Sequence, residues 1–201
     1  MTTKVSRTPG RPRKFDAEQA VCIAQNLFHS SGYDRVSVGD LTRAFGINPP
    51  SFYAAFGSKL GLYRVVLDRY AQNGAISFKA LLRHDRPVAE CLSAVLDEAA
   101  SRYAADPEAT GCLVLEGIHS DDLSAREVAC GFHTAAEKMF HAYIAERYPE
   151  QAVRITDFMV TIMSGLSARS RQGASAERLR ETARMAGQML VQLLPVQFEF
   201  R

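Results

Sequence analysis

SVGDLTRAFGINPPSFYAAFGSK, residues 37–59, reads as two short helices joined by a glycine turn. Ser37 is a good N-cap, and Asp40 three residues on completes a capping box while placing negative charge at the positive end of the helix dipole. Val38, Leu41 and Phe45 recur at helical spacing and make one apolar face. Gly46 then supplies the left-handed residue that ends a helix without steric cost. The turn Gly46-Ile47-Asn48 points Ile47 inward and leaves Asn48 to cap the next helix. Pro49 and Pro50 fill first-turn positions whose N–H groups have no partner inside a helix, so here two prolines open a helix instead of breaking one. That helix covers 49–56. Phe52 and Phe56 share the face that must be buried, which leaves Asn48, Pro49, Ser51, Tyr53, Ala54 and Ala55 on the outside. An outer face with short side chains, one tyrosine and no charge suits insertion into a nucleic-acid groove.

Working outward, Asp16 with Gln19 makes a second capping box for a first helix over 15–29. Its buried stripe is Ala20, Ile23, Ala24, Leu27 and Phe28, and Ser30-Ser31-Gly32 ends it. A further helix covers 60–72 and ends at Asn73-Gly74. Its Leu62, Val65, Val66, Arg69 and Tyr70 let one end support the helix-turn-helix while the other meets whatever follows. From Ala75 onward the pattern stays helical, with segments at 76–82, 87–105, 111–119, 124–147, 150–171 and 175–194. The predicted fold class is all-α.

The residues from Phe15 to Leu67 resemble the DNA-binding domain of the tetracycline-repressor (TetR) family of bacterial transcription regulators. The resemblance rests on Phe28…Gly32-Tyr33, Ser37 at the next cap, Leu41…Ala44-Phe45-Gly46-Ile47, Ser51-Phe52-Tyr53-Ala54-Ala55-Phe56 and Ser58-Lys59…Leu62. It implies an N-terminal three-helix helix-turn-helix domain over 15–74, preceded by a basic arm over 1–14. It also implies a helical effector-binding and dimerisation domain over 75–195, with 196–201 as a tail. Ser37, Ser51, Tyr53 and Lys59 match positions that usually contact phosphates. Pro49, Pro50 and Ala55 match positions that usually face bases, although a polar or basic residue is common where Pro49 stands, and Gly39 brings no side chain to a spot that can carry a base contact. Discrimination then falls to Asn48, to apolar contact with thymine methyls and to DNA shape.

Charge is distributed to match. The first 74 residues hold ten Lys and Arg against five Asp and Glu, a net +5, leaving −3 for the rest of a chain whose overall charge is +2. The phosphate-attracting field thus lies over the helix-turn-helix. Met1 to Lys14 carries five basic residues and no acid. It is either an ordinary ragged terminus or an arm whose Arg11, Arg13 and Lys14 follow the DNA backbone or enter a minor groove.

The last two helical segments mix bulky and small residues, Ile162, Gly165 and Leu166 on one and Ala186 and Leu190 on the other. These stripes either fill a protomer core or, as the looser resemblance here implies, meet their copies across a two-fold axis in a four-helix interface. Family members generally hold a small-molecule pocket in the C-terminal domain. Candidate liners are Tyr70, Phe78, Tyr103, Leu115, His119, Phe132, Phe140, Tyr143 and Phe158, and the same aromatics also suit plain core.

Catalytic signals are missing. There is no glycine-rich phosphate loop, no GxSxG and no HExxH, and His29, His84, His119, His133 and His141 are scattered. No enzyme activity, metal or cofactor is expected. Cys22, Cys91, Cys112 and Cys130 fit neither a zinc pattern nor a disulfide framework. Cys112, beside Gly111 at a predicted helix start, is either a small packed residue or a sensor thiol. No apolar run approaches the about 18 residues that span a bilayer, so the expected location is the cytoplasm. The sequence therefore predicts a homodimeric repressor of an inverted-repeat DNA operator, released by a small, mostly apolar or aromatic effector. The alternatives are a redox- or electrophile-sensing repressor acting through Cys112, and a module whose basic N-terminus meets an acidic protein or a membrane instead of DNA.

Overall fold

The structure, a computed structural model, describes residues 15–74 and 76–195, so the basic arm and the tail lie outside the described residues. Those residues form ten α-helices and no strand: α1 (Ala17–Ser31), α2 (Val38–Phe45), α3 (Pro49–Phe56), α4 (Lys59–Arg69), α5 (Phe78–Leu81), α6 (Val88–Tyr103), α7 (Leu113–Gly117), α8 (Leu123–Ala145), α9 (Ala152–Arg171) and α10 (Ala176–Leu193). Helix α4 stops sooner than its apolar spacing predicts, because the chain widens into a π-helical turn at Tyr70–Gly74. Helix α7 is also shorter than predicted, only five residues between Cys112 and Ile118.

Two cores form. The first is built on Phe28, Tyr33, Leu41, Phe52, Leu62, Tyr63, Val66 and Leu67 from α1 to α4. Its aromatic rings interlock: Phe28 and Tyr63 meet edge to face, 5.2 Å apart at 79°, and Phe52 sits tilted against Phe56 at 5.6 Å. Burying each such side chain stabilises the fold by about 1.5–3 kcal/mol, with about 0.5–1.5 kcal/mol more for a well-placed aromatic pair. The second core gathers α6, the C-terminal half of α8, α9 and α10 around Leu92, Val95, Leu96, Phe140, Ile144, Met159 and Leu190. Helix α10 lies so close along α6 that Ser93 Oγ reaches the Gly187 carbonyl at 3.4 Å.

The first core does not end where the helix-turn-helix ends. Leu113 of α7 and Ala125 and Ala129 of α8 are buried in it, and Cys112 packs against both cores. What permits this is Gly117. A Cβ there would lie 2.2 Å from the Tyr63 hydroxyl and 2.7 Å from the Ala129 Cβ, so only a bare backbone lets α7 seat between α4 and α8. Gly117→Ala is expected to destabilise the protein by about 1–3 kcal/mol through overpacking, read as a lower urea midpoint; an unchanged midpoint would show that α7 is free to move away.

Candidate nucleic-acid interface and the cavity behind it

Each helix of the pair is set by local hydrogen bonds. Ser37 Oγ accepts from the Asp40 N–H at 3.1 Å while the Asp40 carboxylate accepts from the Ser37 N–H at 3.0 Å, closing the capping box. Gly46 sits in the left-handed region, φ 69° and ψ 32°, and ends α2. Asn48 Oδ1 accepts the Ser51 N–H at 3.0 Å and starts α3 with Pro49 and Pro50 in its first turn. Phe52 is fully buried and Tyr53 is 51% exposed, so successive residues of α3 separate core from surface. Asn48, Pro49, Pro50, Ser51, Ala54 and Ala55 join Tyr53 outside.

Lys59 takes a more enclosed position. Its Nζ lies over the Tyr33 ring, 3.9 Å from the centroid, an arrangement in which the ring face attracts the cation. Desolvation lowers the lysine pKa, with the Asp34 and Asp122 carboxylates pulling the other way.

Behind the helix-turn-helix, polar contacts tie it to α7 and its flanks. The Asp34 carboxylate accepts from Ser120 Oγ at 2.8 Å and from the N–H groups of Asp121 at 2.9 Å and Asp122 at 3.3 Å. Partial desolvation pushes that carboxyl's pKa up, but these hydrogen bonds together hold it below the ordinary carboxylate value. His29, at the end of α1, donates from Nε2 to the Gly111 carbonyl at 3.2 Å. Arg171 of α9 donates to the His29 carbonyl and pairs with Glu116 at 3.2 Å. No pattern in the sequence marked Asp34 or His29, because their partners lie more than eighty residues away.

On the far side of α7 is a cavity of about 280 Å³ with a mostly apolar lining. Tyr70, Phe78, Tyr103, Leu115, Phe132 and Phe140 line it. His119 is exposed, Tyr143 donates its hydroxyl to the Arg83 carbonyl at 2.7 Å, and Phe158 packs against the second core, so these three do not. Cys112 does line it, beside the hydroxyls of Tyr70 and Tyr103. Those neutral neighbours suit packing, and the redox-sensing alternative draws nothing from them. Among the described residues no three His, Cys, Asp or Glu side chains gather as a metal site, and no helix is long and apolar enough to cross a membrane.

The family model for bacterial regulatory proteins, tetR family, matches residues 23–66. Over 194 residues the chain is 53% identical to the HTH-type transcriptional repressor BdcR of Escherichia coli K12, covering 96% of this chain and 98% of that protein. It belongs to the TetR family. A second Escherichia coli relative, the HTH-type transcriptional repressor ComR, is 28% identical over 90% of this chain and 92% of its own length. Among solved structures, a cysteine mutant of the TetR family transcriptional regulator CifR, complexed with 26-bp double-strand operator DNA, is 28% identical with a TM-score of 0.76, covering 89% of this chain and 98% of that one. Transcription regulation through a DNA-binding helix-turn-helix follows from membership of the TetR family, and the expected resemblance and all-α fold class are both borne out.

Arg11, Arg13 and Lys14, which the basic charge of the arm beside the helix-turn-helix suggests as DNA contacts, lie outside the described residues. In the last two helices of this TetR-family chain, Leu166, Ala186 and Leu190 are buried within the protomer, Ile162 is half-buried and Gly165 is exposed. The outward apolar residues of α10 are instead Met185, Met189 and Val191, 65%, 46% and 56% exposed.

Burial sets the His29 titration. Desolvation lowers its pKa from 6.5 against the Gly111 carbonyl, which favours the charged form; Arg171 lowers it further, and Asp106 and Glu116 oppose. The unfolded chain therefore takes up this proton first as pH falls, so the His29 contribution is complete above 6.5 and diminishes below it until the folded pKa is passed. Urea midpoints should drop between about pH 7.5 and about pH 5, and less so in His29→Gln; equal pH dependence in both proteins would assign the drop elsewhere.

Proposed function

We propose that this chain is a homodimeric transcriptional repressor that binds an inverted-repeat operator and is released by a small, uncharged, mostly apolar or aromatic effector. The observation that carries the reading is α3: Phe52 anchors it in the core while Ser51, Tyr53, Ala54 and Ala55 stand outside, within an N-terminal stretch of 74 residues of net +5. That BdcR and ComR are named repressors, and that CifR was solved on operator DNA, supports repression by operator binding. The cavity, walled mostly by rings and apolar side chains and with its Arg102 engaged by Glu98, supports an apolar effector.

Self-association through α9 and α10 is supported by the surface those helices leave uncovered. Met185, Met189 and Val191 on α10 and Val153 on α9 are large apolar side chains in water. In this reading Gly165 and Ile162 lie at the edge of the interface, and Leu166, Ala186 and Leu190 act from behind by holding α9 and α10 against α6. The domain limits proposed are 15–74 for DNA binding and 75–195 for effector binding and dimerisation.

Ser37, Ser51, Tyr53 and Lys59 contact phosphates, and Asn48, Pro49, Pro50 and Ala55 face the bases. Lys59 reaches its phosphate after leaving Tyr33, or with the tyrosine moving alongside it. Selection of genomic fragments by the purified protein, then footprinting at moderate salt, is expected to give a protected inverted repeat; no enrichment above competitor DNA would remove the reading. Tyr53→Ala should weaken binding across all sequences, and Lys59→Ala should flatten the dependence of log K on log salt by about 0.9 for each phosphate that the lysine neutralises.

A further inference from the structure

Tyr70 and Tyr103 are 6% and 3% exposed, and both line the cavity, as does Cys112. A buried tyrosine hydroxyl usually finds a hydrogen-bond partner. The Cys112 thiol and the Leu113 backbone are the neighbours that bear on the Tyr70 hydroxyl. The Tyr103 hydroxyl faces the same sulfur. Two phenol donors therefore converge on one weak acceptor, which is already shared. An oxygen with two lone pairs would take both protons better than the thiol does.

We propose that this end of the cavity is a carbonyl-binding subsite, and that the molecule it takes is a compact, uncharged ring compound with one accessible carbonyl oxygen. The biological role of such a molecule rests on the cavity being the effector site; the subsite itself rests on the groups that line it. A carbonyl oxygen can accept from both phenols at once and is a far better acceptor than the thiol beside them. A hydrocarbon of the same shape leaves the deficit in place. A carboxylate would enter without a free countercharge, because Arg102, the cation of the lining, is engaged by Glu98, and His133 and Glu137 face each other at 3.7 Å. The walls favour a ring: Phe78 and Phe140 meet edge to face at 5.0 Å, with Phe132 and Met163 beside them. A volume of about 280 Å³ limits the guest to one or two rings.

Isothermal titration of the full-length protein, without DNA, with acetophenone, ethylbenzene and benzoate tests this. Acetophenone should bind about tenfold tighter than ethylbenzene, and benzoate no tighter than ethylbenzene. Tyr103→Phe and Tyr70→Phe should each bring acetophenone towards ethylbenzene and leave ethylbenzene unchanged. Cys112→Ala should keep or raise acetophenone affinity, since the thiol competes for the same protons. Equal binding of ketone and hydrocarbon, benzoate as the tightest of the three, no saturable binding of acetophenone, or its loss in Cys112→Ala would each overturn the subsite. Should a tyrosine variant not fold, the wild-type ranking and Cys112→Ala still decide. Operator binding is measured separately. Titration that succeeds without effect on DNA leaves the subsite and removes the effector reading, whereas intact operator binding with no titration does the reverse.

Discussion

The contact between Gly117 and Tyr63 sets the arrangement of the whole molecule. Because the Tyr63 hydroxyl occupies the space a side chain at 117 would need, α7 lies directly against α4, with α8 on its other flank. Both cores then share residues across this seam: Leu113, Ala125 and Ala129 join the first, and Cys112 touches both. A packed interior of this density moves by discrete repacking and not by gradual deformation. The five residues of α7 thus have the cavity on one side and the helix-turn-helix on the other. The Asp34 and His29 hydrogen bonds fasten the two ends of the same segment, so the segment is held at each end as well as in the middle.

Most of the fold was legible in the sequence because its signals are local. The Ser37–Asp40 box, the Gly46 stop and the Asn48-Pro49-Pro50 start act within three or four residues, and the structure has each of them. The same holds for the division of α3 into Phe52 inside and Tyr53 outside. What periodicity cannot reveal is which neighbour takes an apolar stripe. Leu166 and Leu190 read equally well as core or as interface, and they lie inside because α6 covers them. Nor does spacing reveal where a helix changes its winding: the apolar pattern runs on through Tyr70, but the backbone widens into a π-turn there.

The site was legible in the same uneven way. Exposure of the α3 face follows from amphipathicity, whereas the place of Lys59 over Tyr33 depends on a ring twenty-six residues away. Six of the nine residues read as cavity liners do line it, contributed by five different elements. His119, Tyr143 and Phe158 face other ways because each has a competing environment: water, the Arg83 carbonyl and the second core. Cys112 was visible as unusual, yet its setting between two phenols is a tertiary fact.

The two prolines that open α3 also change what that helix can offer to an anion. A helix N-terminus ordinarily presents several unpaired N–H groups to a phosphate. Here Pro49 and Pro50 have none, the Ser51 N–H is taken by Asn48 Oδ1, and the Phe52 N–H by the Asn48 carbonyl. Helix α3 therefore brings a positive dipole end without a single free backbone donor. Helix α4 is built differently: Ser58 Oγ takes the Gly61 N–H and the Ser58 carbonyl the Leu62 N–H, so the amides of Lys59 and Leu60 remain outside the capping bonds. In the proposed complex with DNA, any backbone grip on the sugar-phosphate chain would fall to α4, leaving α3 to slide or tilt without first breaking an amide-to-phosphate bond of its own.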